Sequence, residues 1–267
     1  MRLKDKTAII IGAGQGPGEG MGNGRATAIV FAREGARVLA VDRDPVSARE
    51  TARLVADKGG TCVVFEADVT KEATLKAAVD EAMRLWGRID ILHNNVGVSL
   101  AGGDASPLQI TEAAFDLVSA INMRGTIMAC KHVLPVMEAQ RGGAIINVSS
   151  IASLRAPKGI RYIAYNASKG AVNSFTQAVA LMYAEKGIRC NAILPGLMHT
   201  PMIDILKNQY AAGDYDRMIA IRDRASPTGK MGTAWDTANA ALFLASDESA
   251  YVNGHLLIVD GGITIRA

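Results

Sequence analysis

Apolar residues along this chain come in two rhythms. Short β-branched runs alternate with longer stretches in which apolar positions recur every three to four residues, the patterns of buried strands and amphipathic helices. Thr7 to Ile11 is the first strand and ends in glycine. Glycine then holds every second position from Gly12 to Gly24, and a helix starts at about Asn23, with Ala26, Ala28, Ile29, Val30 and Phe31 inside and Gly35 past its end. Arg37 to Val41 is the second strand and closes on Asp42. The alternation continues with a helix over Ser47–Lys58, a strand over Cys62–Phe65, a helix over Lys71–Trp86 and a strand over Ile89–Leu92. Thr111 to Met137 is a long helix containing Asn122, and Ala144 to Val148 is a strand that ends in Ser149-Ser150. A helix over roughly Tyr162–Lys186 and a strand over Ile188–Leu194, ending in Pro195-Gly196, follow. Strands that alternate with helices of this length predict an α/β fold, a Rossmann-like doubly wound parallel sheet with helices on both faces. No Pro/Ser-rich linker or charge run interrupts the pattern, so residues 1–267 are expected to form a single dinucleotide-binding and catalytic domain.

Composition narrows the function classes. A chain of 267 residues with 49% hydrophobic content is a globular core-former long enough for one large domain. Lys plus Arg 29 against Asp plus Glu 26 gives a net charge of +3, too small to argue for nucleic acid. Cys62, Cys130 and Cys190 are odd in number and lie in apolar surroundings. They read as reduced core cysteines of a cytoplasmic protein, and no His/Cys/Asp cluster has metal spacing. Met1 to Lys6 runs straight into a strand, with no signal peptide, and no apolar run is long enough to span a membrane.

The first strand, glycine loop, helix, second strand and terminal acid together make a dinucleotide-binding unit. Its glycines let the backbone approach a pyrophosphate, and the helix N-terminus at Gly22, Asn23 and Gly24 offers free N–H groups. Asp42 lies 18 residues past Gly24, where a carboxylate accepts from ribose hydroxyls and repels a 2′-phosphate, so NAD is favoured over NADP. Arg43 is the complication, because an arginine beside that site can receive the phosphate.

Tyr165-Asn166-Ala167-Ser168-Lys169 carries the candidate chemistry. A tyrosine four residues before a lysine on a helix shares a face with it, one turn away. A phenol with a pKa near 10 is a poor base at neutral pH, and a neighbouring ammonium lowers that pKa. Bringing it down by about three units takes roughly 4 kcal/mol, which a lysine and a bound cationic cofactor ring together could supply. By itself the pair is more often an amphipathic surface pair, so its meaning depends on the rest of the chain.

With these residues in view, the chain resembles a bacterial-type short-chain dehydrogenase/reductase nearly from end to end. The resemblance rests on Gly12, Gly22 and Gly24, on Asp68-Val69, on Asn94-Asn95-Val96-Gly97 and on Asn122. It rests also on Ser150, Tyr165, Lys169, Pro195-Gly196 and Thr200, and on a tail running from Val252-Asn253-Gly254-His255 to Val259-Asp260-Gly261-Gly262. It implies a seven-stranded sheet, NAD(P)-dependent interconversion of a secondary alcohol and a ketone, and a homotetramer. Tyr165 would exchange the proton of the substrate hydroxyl. Lys169 would hold the nicotinamide ribose and depress the Tyr165 pKa, and Ser150 would orient the substrate oxygen. Asn122 would hold a water that links Lys169 to solvent. Thr200 would bind the carboxamide and Asp68 with Val69 the adenine, while Asn94, Gly97, Pro195 and Gly196 complete the cofactor site. A non-catalytic nucleotide-binding regulator or scaffold of the same fold is the alternative reading.

Three departures from the family pattern stand out. Val96 replaces the usual alanine. Ser150 precedes Tyr165 by 15 positions instead of the family's roughly 13, which leaves Ser149 and Ser153 as rivals. The glycine loop carries an insert, Gly16 to Met21. A register on Gly12, Gly16 and Gly18 would place Gly20, Gly22 and Gly24 inside the helix at about 1 kcal/mol each, so Gly22 and Gly24 are preferred. The insert contains Glu19, which a pyrophosphate would repel. It is therefore expected to bulge toward solvent, a neighbouring subunit or the pocket mouth.

Ligands of such sheets bind beyond the carboxyl ends of the strands. That places the substrate pocket among residues 99–106, 151–162 and 197–227, the last a candidate lid. Arg155, Lys158 and Arg161 form an acid-free cluster that is solvated surface by default. In the sharper reading Arg155 meets an anionic or polyhydroxy substrate. Met198 and Met202 could line a pliable apolar pocket or simply fill core. His93, at a strand end, reads as a packed core histidine, and His199, beside Thr200, as a possible substrate contact.

Overall fold

The computed structural model describes residues 1–155, 162–206 and 213–266. Its main sheet is parallel and contains β1 (Thr7–Ile11), β2 (Arg37–Asp42), β3 (Thr61–Glu66), β4 (Ile91–Asn94), β5 (Gly143–Val148), β6 (Ile188–Pro195) and β9 (Leu256–Val259). These seven strands lie in the order β3-β2-β1-β4-β5-β6-β9. A separate two-residue ladder pairs β7 (Met198–His199) with β8 (Gly232–Thr233). The chain reverses its direction of winding between β1 and β4, and this switch opens a crevice beyond the strand ends.

Alternation along each strand sends its side chains to two cores. Ala8, Ile10, Val38, Ala40, Ile91 and Ile146 meet α1 (Asn23–Arg33) and α8 (Ala234–Ala245) on one face. Ile9, Ile11, Leu39, Val41, Leu92 and Ile145 meet α3 (Glu72–Trp86), α5 (Gly125–Gln140) and α6 (Ile163–Tyr183) on the other. Each fully buried isoleucine or leucine contributes about 1.5–3 kcal/mol of transfer free energy, so slipping any strand by one residue would be heavily penalised.

Several boundaries differ from the sequence expectation for identifiable reasons. The fourth strand begins at Ile91 instead of Ile89. The Ile89 backbone is paired by the Gln140 side chain, which accepts from its N–H at 2.9 Å and donates to its carbonyl at 2.8 Å. Asp90 turns its carboxylate to the Thr7 N–H at 2.9 Å. The helix expected over Ser47–Lys58 is α2 (Pro45–Ala56), started early by Asp44, whose side chain accepts from the amides of Val46 and Ser47. The long helix around Asn122 is α4 (Glu112–Ser119), one π-helical turn over Ala120–Arg124, and then α5. Tyr162 stands at the N-cap of α6, whose last turn tightens into a 3-10 turn over Ala184–Lys186.

The described parts of the 197–227 stretch, residues 197–206 and 213–227, form a cover with a small core of its own. A 3-10 segment over Pro201–Leu206 and α7 (Tyr215–Ala225) enclose Ile203, Met218 and Met231, flanked by Leu197, Leu206, Tyr215 and Ile219. Among the described residues no helix is long and apolar enough to cross a membrane. The three cysteines are free, with Cys130 and Cys190 buried.

Candidate active site

The glycine loop is held by the strands on either side of it. The Gly14 amide donates to Oδ2 of Asp42 at 2.8 Å, and the amide of Asp44 to its Oδ1 at 3.0 Å. A Cβ added at Gly24 would stand 1.9 Å from the carbonyl oxygen of Gly12, so the start of α1 lies directly on the loop. Asn95 braces the same point by donating to the Gly12 carbonyl at 2.9 Å. At the N-cap of α1, Gly22 supplies no side-chain cap, and the first-turn amides keep their donor capacity. A cradle that any side chain would fill, beside an uncapped helix N-terminus and a carboxylate at the end of β2, fits a dinucleotide whose pyrophosphate lies near the free amides of Asn23 and Gly24.

The remaining cofactor candidates divide into those that face this crevice and those that do not. Asp68 follows β3, and its carboxylate accepts from the Thr70 amide at 2.9 Å and hydroxyl at 2.8 Å. Burial opposes ionisation there, but the Thr70 bonds and the charges of Lys71 and Arg43 outweigh it and hold the carboxyl below its ordinary range. Val69 packs on Gly125. Arg43 is exposed, whereas Arg25 is buried and committed to Thr51 and Ser47 at 3.0 Å. Pro195 ends β6, and the Gly196 amide donates to Val259 at 2.9 Å. Thr200 is buried. Asn94 is buried and turns its side chain inward, donating to Asn147 Oδ1 at 2.8 Å. Any cofactor contact at residue 94 therefore falls to its backbone. Asn95, its neighbour, is the asparagine on the loop.

The acid–base candidates converge at the carboxyl end of β5. The Ser150 hydroxyl accepts from the Ala152 amide at 3.1 Å and lies near enough to the Tyr165 phenol to pull its pKa down. Its two rivals serve the backbone. The Ser149 hydroxyl donates to the Lys169 carbonyl at 3.0 Å, and the Ser153 hydroxyl to the Ser150 carbonyl at 2.6 Å. Lys169 is buried, its Nζ donates to the Val148 carbonyl at 2.7 Å, and the same atom stands 5.7 Å from the centroid of the Tyr165 ring. A Cβ at Gly97 would come within 3.3 Å of that Nζ, so the glycine keeps the lysine's approach open. Burial lowers the Lys169 pKa from 10.5 to about 8. The expected lowering of the phenol is not what the protein groups give by themselves. Burial raises Tyr165, the Ser150 hydroxyl pulls it down, and burial wins.

Asn122 sits in the π-helical turn, a feature with no simple sequence signature and one common at functional sites. Its Oδ1 accepts from the Val98 amide at 2.8 Å, and its Nδ2 donates to the Val98 carbonyl at 2.8 Å and to Ser168 Oγ at 3.0 Å. The side chain thus fastens the loop after β4 to α6.

The substrate candidates are placed unevenly. Arg155 is exposed and donates to the carbonyl of Ile263, which ties it to the C-terminal turn. Lys158 and Arg161 lie outside the described residues. Met198 is buried in β7 against Gly232, and Met202 is half exposed. His93 is the packed core histidine expected, edge-on to Phe31 at 6.1 Å, with burial lowering its pKa from 6.5 to about 3. His199 joins the Tyr215 hydroxyl at 3.0 Å, which clasps β7 to α7.

The glycine insert runs against the segment that follows β7. Gly18, at φ 133°, lies so close to Pro201 that a Cβ would meet the Pro201 carbonyl oxygen at 3.0 Å, and Gly20 runs beside the His199 carbonyl. Gln15 closes its base by accepting from the Gly22 amide at 2.9 Å and donating to the Gly20 carbonyl at 3.3 Å. The Tyr215 phenol is pushed up by burial and then by the carboxylates of Glu19, Asp204 and Asp216, which places Glu19 on the side of the cover. Among the described residues no group of acids, histidines and cysteines could hold a metal.

Residues 18–264 match the family model described as "Enoyl-(Acyl carrier protein) reductase". The chain is 39% identical over 264 residues to 2-(R)-hydroxypropyl-CoM dehydrogenase of Xanthobacter autotrophicus, covering 97% of this chain and 98% of that one. A Burkholderia xenovorans structure assigned as a short-chain dehydrogenase/reductase superposes with a TM-score of 0.93 at 42% identity, over 100% of this chain and 99% of that one. Carveol dehydrogenase from Mycobacterium avium, solved in complex with NAD, superposes with a TM-score of 0.90 at 31% identity, over 99% of both chains.

Proposed function

The chain belongs to the short-chain dehydrogenase/reductase family of oxidoreductases, and on that premise we propose that it interconverts a secondary alcohol and its ketone with NAD. The observation that carries the reading is the buried Lys169 ammonium, anchored to the Val148 carbonyl at 2.7 Å and 5.7 Å from the centre of the Tyr165 ring, with the Ser150 hydroxyl near the phenol. Ser150 holds the substrate oxygen against the phenol. Tyr165 takes the alcohol proton in oxidation and returns it in reduction. Lys169 holds the nicotinamide ribose, and its ammonium stabilises the phenolate that proton transfer leaves. Asn122 fixes the loop over which Lys169 communicates with solvent. A bound nicotinamide dinucleotide supplies the hydride acceptor or donor.

NAD is favoured over NADP by the Asp42 carboxylate, which a 2′-phosphate would have to approach. Arg25 turns its Nε and Nη2 to Thr51 and Ser47, away from direct contact with a 2′-phosphate. The rest of the cofactor site is Gly12, Gly22 to Gly24, Asp68, Val69, Gly97, Pro195, Gly196 and Thr200. The Arg155 guanidinium has donors beyond the one given to Ile263, and these meet an anionic or polyhydroxy substrate. Exposed Leu181 and Met182 on α6 suit burial between copies in a cytoplasmic homotetramer.

The test is a screen of sugars, alicyclic alcohols, hydroxy acids and steroids with NAD, read by NADH absorbance. Turnover of a secondary alcohol supports the proposal. NAD binding with no alcohol oxidised across the screen contradicts it.

A further inference from the structure

The first turn of α6 is capped from another part of the chain. Tyr162 at the N-cap has no short oxygen to turn back on the helix amides, yet all three amides that follow are satisfied. Ile163 donates to the Ala105 carbonyl at 3.2 Å. Ala164 donates to Oδ1 of Asp104 at 3.0 Å, and Tyr165 donates to Oδ2 of Asp104 at 2.7 Å. Asp104 is only 5% exposed, and its Oδ1 also accepts from the Ala105 amide at 2.9 Å. It is the only acid between Asp90 and Glu112, and it stands 61 positions before Tyr165. Such charge-assisted bonds, made at the positive end of a helix dipole, are among the stronger hydrogen bonds a carboxylate makes.

The other side of Tyr165 is gripped as well. Its carbonyl accepts from the Ser168 hydroxyl at 2.8 Å, and that hydroxyl accepts from Asn122 Nδ2 at 3.0 Å. Asn122 in turn holds both backbone groups of Val98, six residues before Asp104 in the same loop. The loop after β4 therefore closes on the backbone of Tyr165 from the N–H side through Asp104 and from the carbonyl side through Asn122 and Ser168. A side-chain cap inside α6 would stabilise the helix without fixing where it stands. A cap from the loop that borders the cofactor site fixes the phenol relative to that site.

We propose that Asp104 is a positioning residue for Tyr165, holding the first turn of α6 so that the phenol meets Ser150 and the substrate oxygen in line. The inference rests on the acid–base reading of Tyr165. A misplacement of about 1 Å at a reacting group can cost on the order of 100-fold in rate, so freeing this turn should show in kcat as well as in stability.

The experiment compares Asp104→Ala, Asp104→Asn and Tyr165→Phe in the full chain, at a temperature where circular dichroism shows all of them folded. The substrate is the alcohol turned over fastest in the screen above. Asp104→Ala is expected to lower kcat at least tenfold, to leave KM for NAD within threefold, and to speed amide hydrogen exchange across residues 163–169. Asp104→Asn keeps one acceptor oxygen and is expected to recover at least threefold of the lost kcat. Unchanged exchange at 163–169 in Asp104→Ala overturns the inference without reference to any substrate. So does faster exchange with kcat within twofold of wild type, which would leave Asp104 a stabilising cap only. Near-normal turnover by Tyr165→Phe instead defeats the acid–base reading, and is told apart because it does not involve Asp104.

Discussion

Lys169 gives its ammonium to the carbonyl of Val148 at 2.7 Å and does so 5.7 Å from the centre of the Tyr165 ring. The lysine is anchored to the strand that ends at Ser149 and Ser150, so base, hydroxyl and cation are registered by one strand end. Burial disfavours the charged form of both Lys169 and Tyr165. The site is thereby set to respond strongly to a charge brought in by a ligand.

The Lys169 ammonium should show in the pH dependence of stability. Its pKa falls from 10.5 to about 8 on folding. Between those values the unfolded chain binds more protons, so this group raises stability as pH rises through that window. Wild type should gain on the order of 2 kcal/mol relative to Lys169→Met between about pH 8 and about pH 10, measured by urea unfolding. Equal pH slopes in the two proteins would contradict the buried-ammonium assignment.

Asp42→Ser should weaken NAD by about tenfold, or about 1.4 kcal/mol, and narrow the gap to NADP. The serine loses a ribose acceptor and a repulsive charge, and also the Oδ2 that holds the Gly14 amide at 2.8 Å. Cofactor fluorescence titrations check this. A wild-type protein that already prefers NADP would shift the decision to Arg43.

Gly18→Ala tests the contact between insert and cover. The residue has φ 133°, and a Cβ would lie 3.0 Å from the Pro201 carbonyl oxygen, so alanine must displace one of the two segments. Substrate KM should rise at least threefold, while NAD affinity stays within tenfold. A loss of NAD binding well beyond tenfold would mean that the insert holds the cofactor itself.

The first six strands were legible because the sheet is covered on both faces, and β-branched runs such as Thr7–Ile11 have no other comfortable environment. The asparagine pair was legible as a motif but not as a division of labour. Which of Asn94 and Asn95 faces inward is set by strand parity against Asn147, a residue 53 positions away. Ser150 could not be separated from Ser149 and Ser153 by spacing, because the choice depends on backbone carbonyls that bind the rivals. The π-helical turn at Asn122 and the cap from Asp104 are tertiary pairings and leave no periodicity to read.

His93 offers a second pH test. Its ring nitrogens have no partner, and its pKa falls from 6.5 to about 3 on folding. Between those values the unfolded chain binds the extra proton, so stability falls as pH drops from 6.5 toward 3. His93→Leu should lose less stability than wild type over that range, by about 1.4 kcal/mol per pH unit, in denaturant titrations. Parallel losses would show that the imidazole is hydrated or paired.

The most direct measurement is single-turnover alcohol oxidation by Tyr165→Phe with NAD affinity determined in parallel. The ring is kept and the hydroxyl beside Ser150 is removed. NAD should bind within about threefold of wild type while turnover falls at least 100-fold, as expected on loss of a general base. Turnover within about threefold of wild type would contradict the assignment of Tyr165 as the group that moves the proton.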